Sequence, residues 1–411
     1  LSALRKALDT VNEPLQRIKI ERPATGGGVG RLSDGKVIFV KHCLPGEVVD
    51  VSITTTNAKM ARGDAIEIIE PSPDRVEPQC QYARPGMCGG CDLQHANKAS
   101  QVKWKLDIAK AHLERLAGTD HEIKIIANDI DDLGSRTRLR CGVDDEGRLG
   151  LRTSRSRELI AIDHCPLASD RLIPAFSTSW KGAEEVELRA IGEGEPFGVV
   201  RYHSKRGTSI DLARLDGSPL NSKYTSFANV DGYQYRINPL SFWQSHVGAP
   251  SLLVKEVMQT AELKRGDHAI DLFGGVGLFS LPLAKAVGAS GRVTCVESSS
   301  HAAQDARYNS TDISQIEVQE ATVTKRTISN LLMENSVVVL DPPRSGINGA
   351  ALAELTTSRA RQIIYVSCDA ATLSRDLATL KTQYEIKEIK AFDLFPMTEH
   401  LEFMVNLEIM R

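Results

Sequence analysis

Three groups of residues in this chain have the types and spacing to do chemistry. The first is Cys368, within Tyr365-Val366-Ser367-Cys368-Asp369. The apolar, β-branched run at 362–366 reads as a buried parallel strand, and Asp369-Ala370-Ala371-Thr372-Leu373 opens a helix with a capping residue. A thiol between a strand's carboxyl end and a helix's amino end lies on the ligand edge of an open α/β sheet. Helix N–H groups there favour the nucleophilic thiolate. A cysteine in such a turn is as readily a small core residue, so its neighbours decide.

The second group is Cys80, Cys88 and Cys91, the last two joined by Gly89-Gly90, with Cys165 in His164-Cys165-Pro166-Leu167 as the best fourth member. Cysteines three apart and joined by glycines let the backbone wrap a metal centre. Four thiolates suit a 4Fe–4S cluster and suit zinc, and the spacing does not separate the two. Cys43 and Cys141 stand alone and are expected in the core.

The third group is a nucleotide site. Asp271-x-x-Gly274-Gly275-x-Gly277 follows an apolar run and lets a ligand approach the backbone closely. Glu297, at the end of the next strand, is placed to accept hydrogen bonds from ribose hydroxyls. This much fits a nicotinamide enzyme or an S-adenosylmethionine (SAM) enzyme. Asp341-Pro342-Pro343-Arg344 favours the second, because a proline-stiffened loop presents an acid and an arginine to a planar base beside the cofactor.

The elements that must hold these residues fall into three regions. From 15 to 71, short β runs cut by turns suggest a small barrel of the oligonucleotide-binding kind, with 24–30, Ala-Thr-Gly-Gly-Gly-Val-Gly, as a turn or bulge. A helix is expected over 97–118, with Val102, Leu106, Ala109, Leu113 and Leu116 on one face. Beyond it Arg136, Arg138, Arg140, Arg148, Arg152, Arg155 and Arg157 crowd a stretch expected to form strands, opposed locally only by Asp144, Asp145 and Glu146. Alternating arginines on a sheet face suit a phosphate backbone, and Arg136 and Arg138 lead the candidates for RNA contact. From 237 onward strands and helices alternate, giving a doubly wound sheet of seven strands.

A chain of 411 residues accommodates two or three domains. It carries no apolar run long enough to span a membrane and no signal-peptide pattern near its start, so a cytoplasmic location is expected and structural disulfides are not. The net charge of −3 argues weakly against nucleic acid, but local charge matters more than the total.

Taken together, the motifs resemble the TRAM-domain RNA 5-methyluridine methyltransferases, which act on bacterial ribosomal and transfer RNA. Its carriers are Pro71-Ser72-Pro73-Asp74-Arg75-Val76, Cys88-Gly89-Gly90-Cys91-x-x-Gln94-His95, Phe242-Trp243-Gln244, Asp341-Pro342-Pro343-Arg344-Ser345-Gly346, Ser367-Cys368, and Phe395-Pro396-x-x-Glu399-His400-Leu401-Glu402. This resemblance implies that Cys80, Cys88, Cys91 and Cys165 hold a 4Fe–4S cluster rather than zinc. It implies that Gln244, Phe273, Glu297 and Asp341, with Gly275 in the loop, surround SAM. Cys368 matches the nucleophile and Glu402 the general base. Thiolate addition at uracil carbon 6 makes carbon 5 nucleophilic, and a base must then remove the carbon 5 proton.

The implied architecture is α/β plus β. It comprises an extension (1–14), a TRAM/OB-like barrel (15–71), an iron–sulfur central α+β domain (72–96 and 119–236), a helix (97–118) packing on the catalytic domain, and a Rossmann-like methyltransferase domain (237–411). The expected partner is RNA, bound through Asp341, Arg344, Arg136 and Arg138 by a monomer, with ribosomal RNA ahead of transfer RNA. Three positions depart from the family pattern: the longer Cys80–Cys88 spacing, His246 in place of asparagine, and Leu278 in place of asparagine. Two alternatives stand beside this reading, an RNA cytosine-5-methyltransferase and a non-catalytic iron–sulfur RNA-binding protein.

Overall fold

A computed structural model describes residues 15–127, 130–204, 207–331 and 334–410; the extension expected at 1–14 lies outside them. Strands β1 (Gln16–Lys19), β2 (Arg22–Ala24), β3 (Gly27–Arg31), β4 (Val37–Lys41), β5 (Val48–Thr56) and β6 (Met60–Glu70) form one sheet, ordered β1-β5-β6-β4-β3-β2. It curls around Ile18, Ile38, Val40, Val49 and Val51. The glycine run differs from the expected turn: only Thr25 and Gly26 turn, and Gly27–Arg31 is strand. Close packing explains it. A Cβ at Gly28 would stand 2.6 Å from Ile20 Cγ2, and one at Gly30 2.4 Å from Ile18 Cγ2.

Asn97 caps helix α1 (Lys98–His112), its side chain accepting the Ser100 N–H. The helix ends in one π turn, Leu113–Ala117, and Gly118 closes it in the left-handed region. A π turn holds an extra residue, so the buried face rotates. Ala117 meets the core, while Leu116, expected inside, is 39% exposed. α1 packs on the catalytic sheet, where Ala109 and Leu113 share a core with Ile363 and Leu377.

Next come β7 (Ile123–Ile126), β8 (Arg138–Val143), β9 (Leu149–Arg152), β10 (Leu159–Ala161), β11 (Glu185–Arg189), β12 (Phe197–Ser204) and β13 (Gly207–Arg214). Six of them form the central sheet, ordered β10-β9-β8-β11-β12-β13, and β14 (Ser226–Val230) with β15 (Tyr233–Ile237) adds a hairpin. Register pairs Arg138 with Arg189 and Arg140 with Glu187. Within the arginine run, Arg140 is therefore paired with acids of β11, Glu185 at 3.4 Å and Glu187 at 3.0 Å, which adjacent sequence did not show.

The catalytic region alternates α2 (Ala249–Thr260), β16 (His268–Leu272), α3 (Ser280–Val287), β17 (Arg292–Glu297), α4 (Ser300–Asn309), β18 (Ile316–Glu320), α5 (Lys325–Leu331), β19 (Val337–Leu340), α6 (Gly349–Thr357), β20 (Gln362–Ser367), α7 (Ala370–Leu380), β21 (Tyr384–Phe392) and β22 (Glu402–Ile409). Its sheet runs β18-β17-β16-β19-β20-β22-β21-β7, eight strands where seven were expected. The eighth, β7, pairs parallel with β21 at the edge. It precedes the domain by many residues, so no run near the domain pointed to it. β19 and β20 are buried at every position, as strands covered on both faces must be. Among the described residues, no helix is long and apolar enough to cross a membrane.

The glycine packing is testable. Gly30→Val forces a side chain against Ile18 and the Lys19 carbonyl, and about 1–3 kcal/mol of barrel stability should be lost, as for other overpacked cores. Urea denaturation followed by barrel and catalytic probes should show an earlier barrel transition only.

Candidate active site

Strand order reverses between β16 and β19, and ligands bind outside the carboxyl ends at such a switch point. The glycine loop leaves β16 there, and Asp341 follows β19. Phe242, Gln244, Phe273, Gly275, Leu278 and Asp341 line one cleft. Gln244 Nε2 donates to Asp341 Oδ2 at 3.2 Å. Glu297 Oε2 accepts the Gly275 N–H at 3.0 Å, and Oε1 accepts the Ser299 N–H at 2.6 Å. A carboxylate oxygen has two acceptor sites, so Glu297 keeps capacity for hydroxyl donors. Phe273 adopts φ 62°, which bulky residues rarely do, and this opens the loop over the cleft. Gly274 cannot be replaced freely, since a Cβ would lie 2.5 Å from Cys295 Sγ.

Asp271 lies beneath this loop, buried, with Ser280 Oγ donating to Oδ2 at 2.6 Å and Oδ1 without a partner. Burial pushes its carboxyl up to about 7 against the Ser280 hydrogen bond, with the Asp341 and Glu297 charges adding to the rise. Burial likewise pushes Asp341 up to about 7, opposed by Gln244.

Cys368 and Glu402 meet through sheet register. β20 and β22 run antiparallel with Ser367 opposite Phe403, so one residue further on Cys368 faces Glu402. Glu402 is 4% exposed and its Oε1 has no partner. Burial, then the Asp341 charge, hold its carboxyl well above the usual carboxylate range, while Arg344 opposes them. The thiol does not match the expectation of a favoured thiolate. Asp369 caps the helix and takes its third amide, accepting from Thr372 N at 2.8 Å. Burial, then the facing Glu402, push Cys368 up to about 12. Arg344 is the counterweight, its guanidinium charge lowering both groups.

Cys80, Cys88, Cys91 and Cys165 line one cavity, as sequence spacing alone did not guarantee. The Gly90 N–H donates to Cys88 Sγ at 3.4 Å and Gln94 Nε2 to Cys91 Sγ at 3.3 Å. Among the described residues, no three histidine, cysteine or carboxylate side chains are placed to hold a single metal ion. Arg136 lines this same cavity, away from the cleft. Arg138 instead lies over the Phe242 ring, 5.2 Å from its centroid, and that ring is 53% exposed. Phe242 was read as part of the Phe242-Trp243-Gln244 motif but was given no place among the site residues. His246, buried and pushed down to about 4 by that burial, accepts the Gly248 N–H at Nδ1 ahead of α2, so it turns the chain without a charge.

Comparison with known proteins now bears on this geometry. Residues 227–410 match the tRNA (uracil-5-)-methyltransferase family model and residues 15–66 the TRAM domain. An RNA methyltransferase of Streptomyces coelicolor is 35% identical over 98% of this chain and 96% of its own length. The chain belongs to the SAM-dependent RNA uracil-5-methyltransferase family. A 23S rRNA (uracil(1939)-C(5))-methyltransferase, RlmD, of Acinetobacter baylyi is 30% identical over 91% of this chain and 89% of its own. In fold, the chain is similar to the tRNA (uracil-54, C5)-methyltransferase of Pyrococcus abyssi, solved with S-adenosyl-L-homocysteine. That match has a TM-score of 0.69 and 24% identity, and it covers 95% of this chain and 99% of the other.

Family membership gives the clustered acids a physical reason. SAM is a sulfonium cation, and S-adenosyl-L-homocysteine is a neutral thioether. Only ionised carboxylates attract the cation, so SAM affinity should rise as pH passes upward through about 7. Between pH 6 and 8 the preference for SAM over the thioether should grow about ten-fold, about 1.4 kcal/mol. Calorimetric titration with both ligands checks this, and Asp341→Asn should flatten the trend. Parallel pH curves for the two ligands would exclude it.

Proposed function

We propose that this chain methylates carbon 5 of a uridine in 23S ribosomal RNA through a covalent Cys368 adduct. The carrying observation is the β20–β22 register, which sets a buried, unpartnered Glu402 oxygen across from Cys368. Bound SAM supplies an electrophilic methyl group. Cys368 gives its proton to solvent and attacks carbon 6 of the flipped base as a thiolate, favoured by Arg344. The electron pair displaced to carbon 5 takes up the methyl group. Glu402 then accepts the carbon 5 proton, the carbon 5–carbon 6 double bond re-forms, and Cys368 leaves. A raised carboxyl pKa gives Glu402 the basicity for that transfer. Gln244 and Asp341 orient donor and base at the cleft, Phe273, Gly275 and Glu297 hold the nucleoside part of SAM, and Arg138 and Arg344 face the RNA. Similarity to RlmD along most of the chain favours 23S ribosomal RNA over transfer RNA.

Cys80, Cys88, Cys91 and Cys165 fit a 4Fe–4S cluster. Four thiols share one cavity, and two of them, Cys88 and Cys91, accept N–H donors, as cluster thiolates do. Zinc takes the same four-thiolate ligand set. Iron and sulfide analysis of anaerobically purified protein separates the two.

Labelled SAM, offered with unmodified 23S ribosomal RNA and transfer RNA separately, should yield labelled 5-methyluridine in the former. Labelled 5-methylcytidine, or label in transfer RNA alone, would refute the assignment. Cys368→Ala should abolish turnover, a loss of about 10⁴-fold or more for a removed nucleophile. Glu402→Gln should methylate once and remain attached to RNA, visible as a band that survives denaturation. Rapid turnover by this variant would remove Glu402 from the base role.

A further inference from the structure

The connection between β21 and β22, residues 393–401, is gripped from three sides. From the barrel, the Gly26 N–H donates to Glu399 Oε2 at 2.6 Å. From the cysteine loop, the N–H groups of Asp92 and Leu93, just past Cys91, donate to the Met397 carbonyl at 2.8 and 2.9 Å. From α1, the buried Lys105 Nζ pairs with Asp393 Oδ1 at 2.5 Å and donates to the Phe395 carbonyl at 2.9 Å. Gln101 Oε1 accepts the Met397 N–H at 3.2 Å. Met397 is held at φ 62°, a conformation that persists in a non-glycine residue only where its surroundings impose it.

A hairpin connection needs no such grip, since a short turn joins antiparallel strands. Here three separate parts of the molecule converge on one connection, and the residue that follows it is Glu402. We infer that Glu399 and Lys105 are positioning residues for Glu402: they hold this connection so that the carboxylate meets the carbon 5 proton. Seating of the barrel and of the cysteine loop is thereby coupled to release of the methylated base. The affected step is the last one. The carbon 5–hydrogen bond breaks toward Glu402, its electron pair forms the carbon 5–carbon 6 double bond, and the carbon 6–sulfur bond breaks to return the Cys368 thiolate. This inference rests on the assignment of Glu402 as the base.

Glu399 gives the cleaner test, because it is half-buried and lies outside the donor cleft. Glu399→Ala removes the acceptor for Gly26, and Glu399→Gln keeps an amide oxygen there. In full-length Glu399→Ala, amide exchange should accelerate across 395–402 and stay unchanged across 362–367. With transcribed 23S ribosomal RNA and labelled SAM, the first methyl transfer should stay close to the wild-type rate. Steady-state turnover should fall about ten-fold, and an adduct resistant to denaturation should accumulate. Glu399→Gln should restore exchange, turnover and release together. Faster exchange in the barrel alone, with normal release, would overturn the inference, as would equal losses in methyl transfer and release. If Glu402→Gln traps RNA and Glu399→Ala does not, only the positioning role falls. If Glu402→Gln traps nothing, the base assignment itself falls.

Discussion

The structure depends on one antiparallel strand placed between two others. β22 enters between β20 and β21, and every neighbour in the chemistry follows from that register. It brings the last motif of the chain opposite the strand that ends at Cys368. A slip of one residue would turn Glu402 to the other face of the sheet and leave the thiol without its partner. Burial on both faces resists such a slip, since Phe403, Val405 and Leu407 share one core and Met404 lies in the other.

Charge is the second constraint. Asp271, Glu297, Asp341 and Glu402 crowd one sheet edge with Arg344 as the cation between Cys368 and Glu402. With no cation bound, burial and mutual repulsion keep protons on several of these groups, thiol included. A sulfonium donor and a nucleobase bring charge and dipoles that reverse this balance. On the proposed mechanism, burial and the facing Glu402 favour the protonated Cys368 thiol, which limits its reaction with other electrophiles.

Much of this was legible in the amino-acid order, where local chemistry carried the signal. The strand–Cys368–helix turn, the glycine loop, Glu297 and Asp341 each stand where a short pattern placed them. What escaped was non-local. β7 joins a sheet whose other strands begin far downstream, Glu185 and Glu187 neutralise Arg140 only through β8–β11 pairing, and the π turn after α1 rotates Leu116 out of the core. The thiol's raised pKa was misjudged for the same reason. Helix amides near Cys368 were visible in sequence, and so was Glu402 as its partner in the chemistry, but the burial of both groups was not. Lys105 carried no signal in the sequence, because its partner Asp393 is brought beside it only by the fold.

The central claim is that Cys368 forms a bond to carbon 6 of the target uridine. Substituting 5-fluorouridine in the RNA tests it most directly, because fluorine at carbon 5 cannot leave as a proton does and the adduct cannot resolve. After incubation with SAM, digestion and mass spectrometry should show one nucleotide bearing both fluorine and a new methyl group, attached to the peptide that contains Cys368. Attachment at any other cysteine, or free methylated nucleoside with no adduct, would contradict the account.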